Sequence, residues 1–249
     1  MSSLFDLSGK VALVTGASGG LGRHAATVLA RAGARVVGVA RRQDQLDDWA
    51  KGLDGAETVA ADLSDTDQLP SVLQTVRRRI ADPDILVNAA GINTRSPADT
   101  ITLDDWNLTL ALNLSTPFFL AQGLMPAMKK KGWGRIVNFA SLQSRRAFRN
   151  GISYGASKGG VEQMTRAMAE AWSPSGINAN AIAPGFFETE LTAPVFADAQ
   201  VSAHHAAQTC IGRNGLADDL DGPLLFLCSE ASRYVTGQVL FVDGGYTAK

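Results

Sequence analysis

Seven short apolar runs, at residues 11–15, 35–39, 57–61, 85–88, 135–140, 178–182 and 239–242, are separated by longer stretches of helical period. The runs are rich in Val, Ile and Ala and show little polar alternation, the pattern of strands covered on both faces. Parallel strands need long crossovers, and the helical stretches at 20–32, 43–53, 65–81, 103–130, 153–172 and 217–229 supply them. The expected fold is α/β: one doubly wound, seven-stranded parallel sheet with helices on both faces, forming a single domain over 1–249. Asp67 and Gln68, following Asp65, suit the first turn of one helix, and Asp104 and Asp105 suit the start of the next. With 45% of 249 residues hydrophobic, the chain can fill the core such a sheet needs. Periodicity weakens between Pro184 and Gly215, where Phe186, Phe187 and Phe196 stand among small and polar residues. Residues 186–214 therefore read as a lid over a ligand site.

The turn after the first strand narrows the fold to a Rossmann type. Gly16, Ser18, Gly19, Gly20, Leu21 and Gly22 lie between that strand and a helix, where glycines allow a tight turn and free helical N–H groups receive a pyrophosphate. About 20 residues on, a preference for NAD would need a carboxylate to accept from the ribose hydroxyls. The chain has Arg41 and Arg42 there, which suit a 2′-phosphate, so NADP(H) is favoured and NAD(H) is the alternative. Asp62 and Leu63 follow the third strand, with the carboxylate placed to meet an adenine amino group. Asn88, Ala89, Ala90 and Gly91 follow the fourth, where small residues let a strand end pass close to the cofactor.

Tyr154 and Lys158 share a helix face at i, i+4 spacing. Free tyrosine titrates near pH ~10, and a neighbouring ammonium and a cationic nicotinamide ring would both favour the phenolate. Tyr154 then acts as base in oxidation and acid in reduction. Ser141 ends the fifth strand, where its hydroxyl can meet a substrate oxygen. Asn113 sits among apolar neighbours in a long helix and needs buried partners, with an internal helix-bending bond as the plain alternative.

Taken in order, Thr15 to Gly22, Asp62, the N-x-A-G stretch at Asn88 to Gly91, Asn113, Ser141, Tyr154-x-x-x-Lys158, Pro184-Gly185 and Val242-Asp243-Gly244-Gly245 resemble the short-chain dehydrogenase/reductase family over essentially the whole chain. The resemblance implies that Lys158 also holds the nicotinamide ribose and that Asn113 holds a water in a proton relay. It also implies that residues 182–189, with Pro184, Gly185, Phe187 and Thr189, meet the nicotinamide end. Ala89 replaces a usual second Asn, and Gly19 stands where many NADP-preferring members are basic. Members of this length are commonly homotetramers built on the two long helices and the last strand.

Residues 88–97 and 183–194 resemble gluconate 5-dehydrogenases and related sugar-acid or polyol reductases, with 3-oxoacyl-carrier-protein reductases as the competing reading. Arg95, Arg145, Arg146 and Arg149 are expected to border the cleft and attract an anion. Polar Asn93, Gln143 and Asn150 suit a hydroxylated substrate. The intact Ser-Tyr-Lys set argues against an idle dinucleotide-binding scaffold. A net charge of −1 disfavours nucleic acid and anionic membranes as partners. Neither cysteine, Cys210 nor Cys228, has metal-ligand spacing, and both read as buried thiols in a reducing compartment. The opening MSSLFDLSGK lacks a basic patch followed by an apolar segment, and no apolar run approaches a membrane span. These features lead to an expected cytoplasmic location and a small-molecule carbonyl or alcohol substrate.

Overall fold

In the computed structural model, which describes residues 4–249, the seven runs form β1 (Val11–Thr15), β2 (Arg35–Ala40), β3 (Ala56–Ala60), β4 (Ile85–Asn88), β5 (Gly134–Phe139), β6 (Ile177–Pro184) and β7 (Val239–Val242). All pair in parallel in one sheet, in the order β3-β2-β1-β4-β5-β6-β7. The chain winds outward from β1 to β3, then returns past β1 to start β4. The β1–β4 boundary is thus the switch point, where a crevice opens beyond the carboxyl ends of the strands.

The two-residue period of each strand feeds two cores. In β1, Ala12 and Val14 enter one cluster while Val11 and Leu13 enter the other. The first cluster is covered by α1 (Gly20–Arg31), α2 (Gln43–Ala50) and α9 (Asp221–Cys228), through Leu29, Leu46 and Leu224. The second is covered by α3 (Leu69–Arg79), α5 (Thr116–Lys131) and α6 (Ile152–Trp172), through Leu73, Leu124 and Met168. Burial on both faces accounts for the absence of polar alternation in the strands.

Helix boundaries depart from the sequence pattern where caps intervene. Asp65 accepts from the Asp67 N–H and caps a 3₁₀ turn, Thr66–Gln68, so α3 starts only at Leu69. Thr102, not an acidic residue, caps α4 (Leu103–Leu110) by accepting from the Asp105 N–H, with Asp104 and Asp105 in the first turn. A π-helical turn, Ala111–Ser115, then joins α4 to α5. The continuous path Leu103–Lys131 is long and apolar enough to cross a membrane, contrary to the sequence reading. Part of its apolar content reflects core packing, with Leu120, Leu124 and Met128 buried in the second cluster, and part lies exposed at Leu103, Leu108 and Phe119.

The segment read as a lid contains a 3₁₀ turn, Glu190–Thr192, and two helices, α7 (Ala193–Phe196) and α8 (Ala199–Gln208). Asp198 caps α8 by accepting from the N–H groups of Gln200 and Val201 at 2.8 and 3.2 Å. Of the two thiols only Cys228 is buried, and burial pushes its pKa up to about 12. Cys210 is exposed, its thiol donating to the Gly245 carbonyl at 3.3 Å, because the chain emerges from α8 there onto the surface.

Candidate active site

A cleft of about 690 Å³ opens at the switch point. Gly16, Ser18, Gly19, Gly20, Leu21, Gly22, Arg41, Arg42, Asp62, Leu63, Ala89, Gly91, Ser141, Tyr154, Lys158, Pro184, Gly185, Phe187 and Thr189 all line it. Two residues expected there, Asn88 and Asn113, stand behind its wall.

The glycine turn fits a pyrophosphate. Gly16 has a φ of +74°, its N–H bonds to Val39 O at 2.8 Å, and an added Cβ would lie 3.0 Å from the Ala90 backbone. Side chains are thereby kept out of the gap between the ends of β1 and β4. No side chain caps the N-terminus of α1 at Gly19, so the first-turn N–H groups remain to receive an anion. Thr15 Oγ1 accepts from the N–H groups of Ala89 and Ala90, each at 3.1 Å, tying the two strand ends together.

Asn88 donates to Asn138 Oδ1 at 2.8 Å and to Pro117 O at 3.4 Å. It braces β4 against β5 and α5, and its position in the last pleat turns the side chain into the protein, off the cleft wall. Asn113 is 1% exposed and lies in the π turn, an irregularity that often marks functional sites. Its amide donates to Ile92 O at 2.9 Å and Ser157 Oγ at 3.1 Å, while its Oδ1 accepts from Ile92 N–H at 2.9 Å. It makes no bond to its own helix. Both amide hydrogens are committed, leaving one Oδ1 lone pair for any further partner. A Cβ on Gly91 would lie 3.2 Å from that oxygen and 3.7 Å from Lys158 Nζ, so glycine there permits both approaches.

Ser141 leaves β5 in extended conformation and caps a 3₁₀ turn, Leu142–Ser144, its Oγ accepting from Gln143 N–H at 3.1 Å. Ser144 Oγ donates to the Lys158 carbonyl at 2.7 Å, fastening this turn to α6. Tyr154, in the first turn of α6, is 8% exposed, and Lys158, one turn on, is 4% exposed. Lys158 Nζ donates to Phe139 O at 2.6 Å and lies 5.6 Å from the centroid of the Tyr154 ring. Burial pushes the Lys158 ammonium down to about 8. Burial also raises the Tyr154 hydroxyl, against smaller opposing effects from the Ser141 hydrogen bond and the Arg95 charge. Desolvation of the phenolate governs Tyr154, and the groups that oppose it are Ser141 and Arg95 rather than the expected Lys158.

Asp62 lines the cleft with its Oδ1 accepting from Ser64 N–H and Oγ at 3.0 and 2.7 Å, bonds that hold its carboxyl below the usual range. Arg42 donates to Ser18 Oγ at 3.3 Å and pairs with Glu190 at 2.9 Å. The four arginines expected at the substrate side divide. Arg95 and Arg149 line the cleft. Arg145 instead grips buried Glu162 at 2.8 Å, and Arg146 donates to Lys249 O at 2.7 Å, since both lie on the outer side of the loop after Ser141. Asn93 and Gln143 also face the cleft, whereas Asn150 is not among its lining residues.

The outer wall had no sequence signature. Phe186 stacks on His205 at 3.7 Å between ring centroids, with Phe148 and Tyr246 around them. Phe148, Phe186 and His205 line the cleft, but they come from separate segments with no spacing that would flag them. Another unforeseen grouping lies outside the cleft: His24 on α1 comes together with Asp218 and Asp221, His24 Nε2 and Asp221 Oδ1 being 2.6 Å apart.

A doubly wound sheet with an anion-binding turn at its switch point and a buried Tyr-Lys pair beside it defines the class of nicotinamide-dependent oxidoreductases. Within that class the chain belongs to the short-chain dehydrogenase/reductase family. A family model described as enoyl-(acyl carrier protein) reductase matches residues 16–247. A gluconate 5-dehydrogenase of Gluconobacter oxydans is 41% identical, over 98% of this chain and 97% of that protein. A crystal structure of a gluconate 5-dehydrogenase from Burkholderia cenocepacia, in complex with NADP and tartrate, superposes with a TM-score of 0.93. It is 38% identical and covers 99% of this chain and 98% of its own. A 3-oxoacyl-[acyl-carrier-protein] reductase of Escherichia coli is 35% identical over 96% of this chain and 98% of that protein.

Proposed function

We propose that this enzyme interconverts a secondary alcohol and a ketone on a sugar acid, keto-gluconate or polyol, using NADP(H). The observation that carries the substrate class is Arg95. It lines the cleft, its charge is felt at the Tyr154 hydroxyl, and it holds a left-handed backbone conformation with φ +54°. A guanidinium beside the proton donor suits a carboxylate-bearing substrate. Arg149, Asn93 and Gln143 add further charge and hydrogen-bonding capacity on the same wall.

The glycine turn and the α1 N-terminus would hold the pyrophosphate, Arg41 and Arg42 the 2′-phosphate, Asp62 and Leu63 the adenine side, and Ala89 and Gly91 the adenosine half. Pro184, Gly185, Phe187 and Thr189 would border the nicotinamide. A bound nicotinamide would supply the hydride to the substrate carbon in reduction and receive it in oxidation. Tyr154 gives its proton to the substrate oxygen in reduction and takes it back in oxidation. Ser141 donates a hydrogen bond to that oxygen as charge develops, and Lys158 supplies positive charge beneath it. Asn113 serves as a positioning residue, fixing Ile92 and Ser157 around the Tyr-Lys pair. Residues 186–214 act as the substrate lid.

NADPH oxidation measured with 5-ketogluconate beside an acetoacetyl thioester tests the substrate class. Turnover of the sugar acid is expected, and turnover of the thioester alone would reverse the assignment in favour of acyl reduction. KM for NADPH is expected below KM for NADH. Exposed Leu103, Leu108, Phe119 and Ile152 on α4, α5 and α6 support association into a homotetramer through the two long helices. Two free cysteines, one exposed, suit a reducing cytoplasm.

A further inference from the structure

We propose that Glu190 sets cofactor selectivity by competing with the 2′-phosphate for Arg42, an inference that rests on the NADP(H) reading above. The pair joins the lid to the end of β2 and is two-pronged: Nη1 to Oε2 at 2.9 Å and Nη2 to Oε1 at 3.2 Å. Two parallel N–H donors facing two oxygens is the geometry by which a guanidinium takes a phosphate. The carboxylate of Glu190 therefore occupies the fork that the phosphate needs.

Its position makes it a competitor and not a distant clasp. A Cβ on Gly19 would lie 2.9 Å from Glu190 Oε1 and 3.1 Å from Arg42 Nη2, and one on Gly20 would lie 3.3 Å from Thr189 Cβ. The lid turn thus rests directly on the residues that open α1, and the carboxylate fills the space between Arg42 and the anion cradle. A phosphate entering there meets a like charge as well as an occupied partner. On its other side the same turn is tied to the substrate wall, where Arg95 donates to Leu191 O at 2.9 Å.

Both members of the pair are substantially exposed, 43% and 66% at the side chain, so the contact is weak enough for a doubly charged phosphate to displace. NADH has no such phosphate and leaves the pair intact. Glu190 accordingly lowers affinity for NADPH selectively.

Dissociation constants for NADPH and NADH, measured by cofactor fluorescence on the purified wild type, Glu190→Gln, Arg42→Gln and the double variant, test this. Glu190→Gln is expected to tighten NADPH about two- to fivefold, the range for an exposed ion pair, and to leave NADH unchanged. In the Arg42→Gln background the competition is gone and only the like charge is left to relieve, so the same substitution is expected to tighten NADPH less than it does with Arg42 present. Unchanged or weaker NADPH binding by Glu190→Gln, or equal tightening of both cofactors, overturns the proposal. If Arg42→Gln weakens NADPH but Glu190→Gln does not tighten it, competition fails while the NADP(H) reading stands. If Arg42→Gln leaves NADPH unaffected, that reading itself fails.

Discussion

Tyr154→Phe is expected to lower kcat by roughly a thousandfold, within the 10²–10⁴ that a positioned acid or base contributes. The phenol ring fills a buried position, 8% exposed, and phenylalanine keeps that volume while removing only the proton and its oxygen. NADPH affinity should therefore stay within about twofold of wild type, and the loss should fall on kcat. Fluorescence titration of the cofactor beside steady-state rates checks both halves. Retained turnover would remove Tyr154 from the acid-base role, and a parallel loss of cofactor binding would make it a structural residue.

Lys158→Met is expected to lower carbonyl reduction about a hundredfold or more and, in the same protein, to raise thermal stability. Lys158 is held at a pKa of about 8, against an ordinary 10.5, because the buried ammonium is poorly solvated. The native state therefore resists the charge, and the destabilisation is fully present below pH 8. It is relieved as pH rises from about 8 towards 10.5, where the native lysine is neutral and the unfolded one is still protonated. Methionine of similar length carries no charge and forgoes the bond to Phe139 O. The expected net gain near pH 7 is on the order of 1–3 kcal/mol, or a rise in Tm of about 2–10 °C for a chain of this size. Scanning calorimetry from pH 7 to pH 10 should show the advantage of the variant shrinking as pH rises. A variant less stable than wild type at pH 7 would mean that the Phe139 bond outweighs desolvation. For the wild type, reduction should slow as pH rises through about 8 and Lys158 loses its proton.

The sheet was legible because its information is local. Periods of two and 3.6 residues, and the glycines between Thr15 and Gly22, are written in consecutive positions, and β1, β4 and β7 run as expected from them. The catalytic trio was legible for a related reason: Tyr154 and Lys158 share a helix face, and Ser141 ends a strand whose neighbours put it at the same edge. What escaped depends on tertiary contacts. Nothing near Asn88 announces that its amide turns towards Asn138. Asn113 meets Ile92 and Ser157 only because a π turn re-aims its side chain. Arg145 and Arg146 sit closer in sequence to Ser141 than Arg149 does, yet Glu162 and Lys249 claim them. Arg42 and Glu190 are 148 positions apart, beyond any spacing rule. The upward shift at Tyr154 was missed because charge proximity can be inferred from spacing, whereas the desolvation that opposes it requires knowing how completely the helix is covered.

The central claim, that this cleft moves a hydride between a nicotinamide and a substrate carbon, is tested most directly by isotope transfer. Wild-type protein is given NADPH with both hydrogens of the reactive ring carbon replaced by deuterium, together with 5-ketogluconate, and the product is read by mass spectrometry. Deuterium bonded to the new carbinol carbon is the expected result. A reduced product without label, or cofactor that binds and is never consumed with any keto acid or thioester, would contradict it.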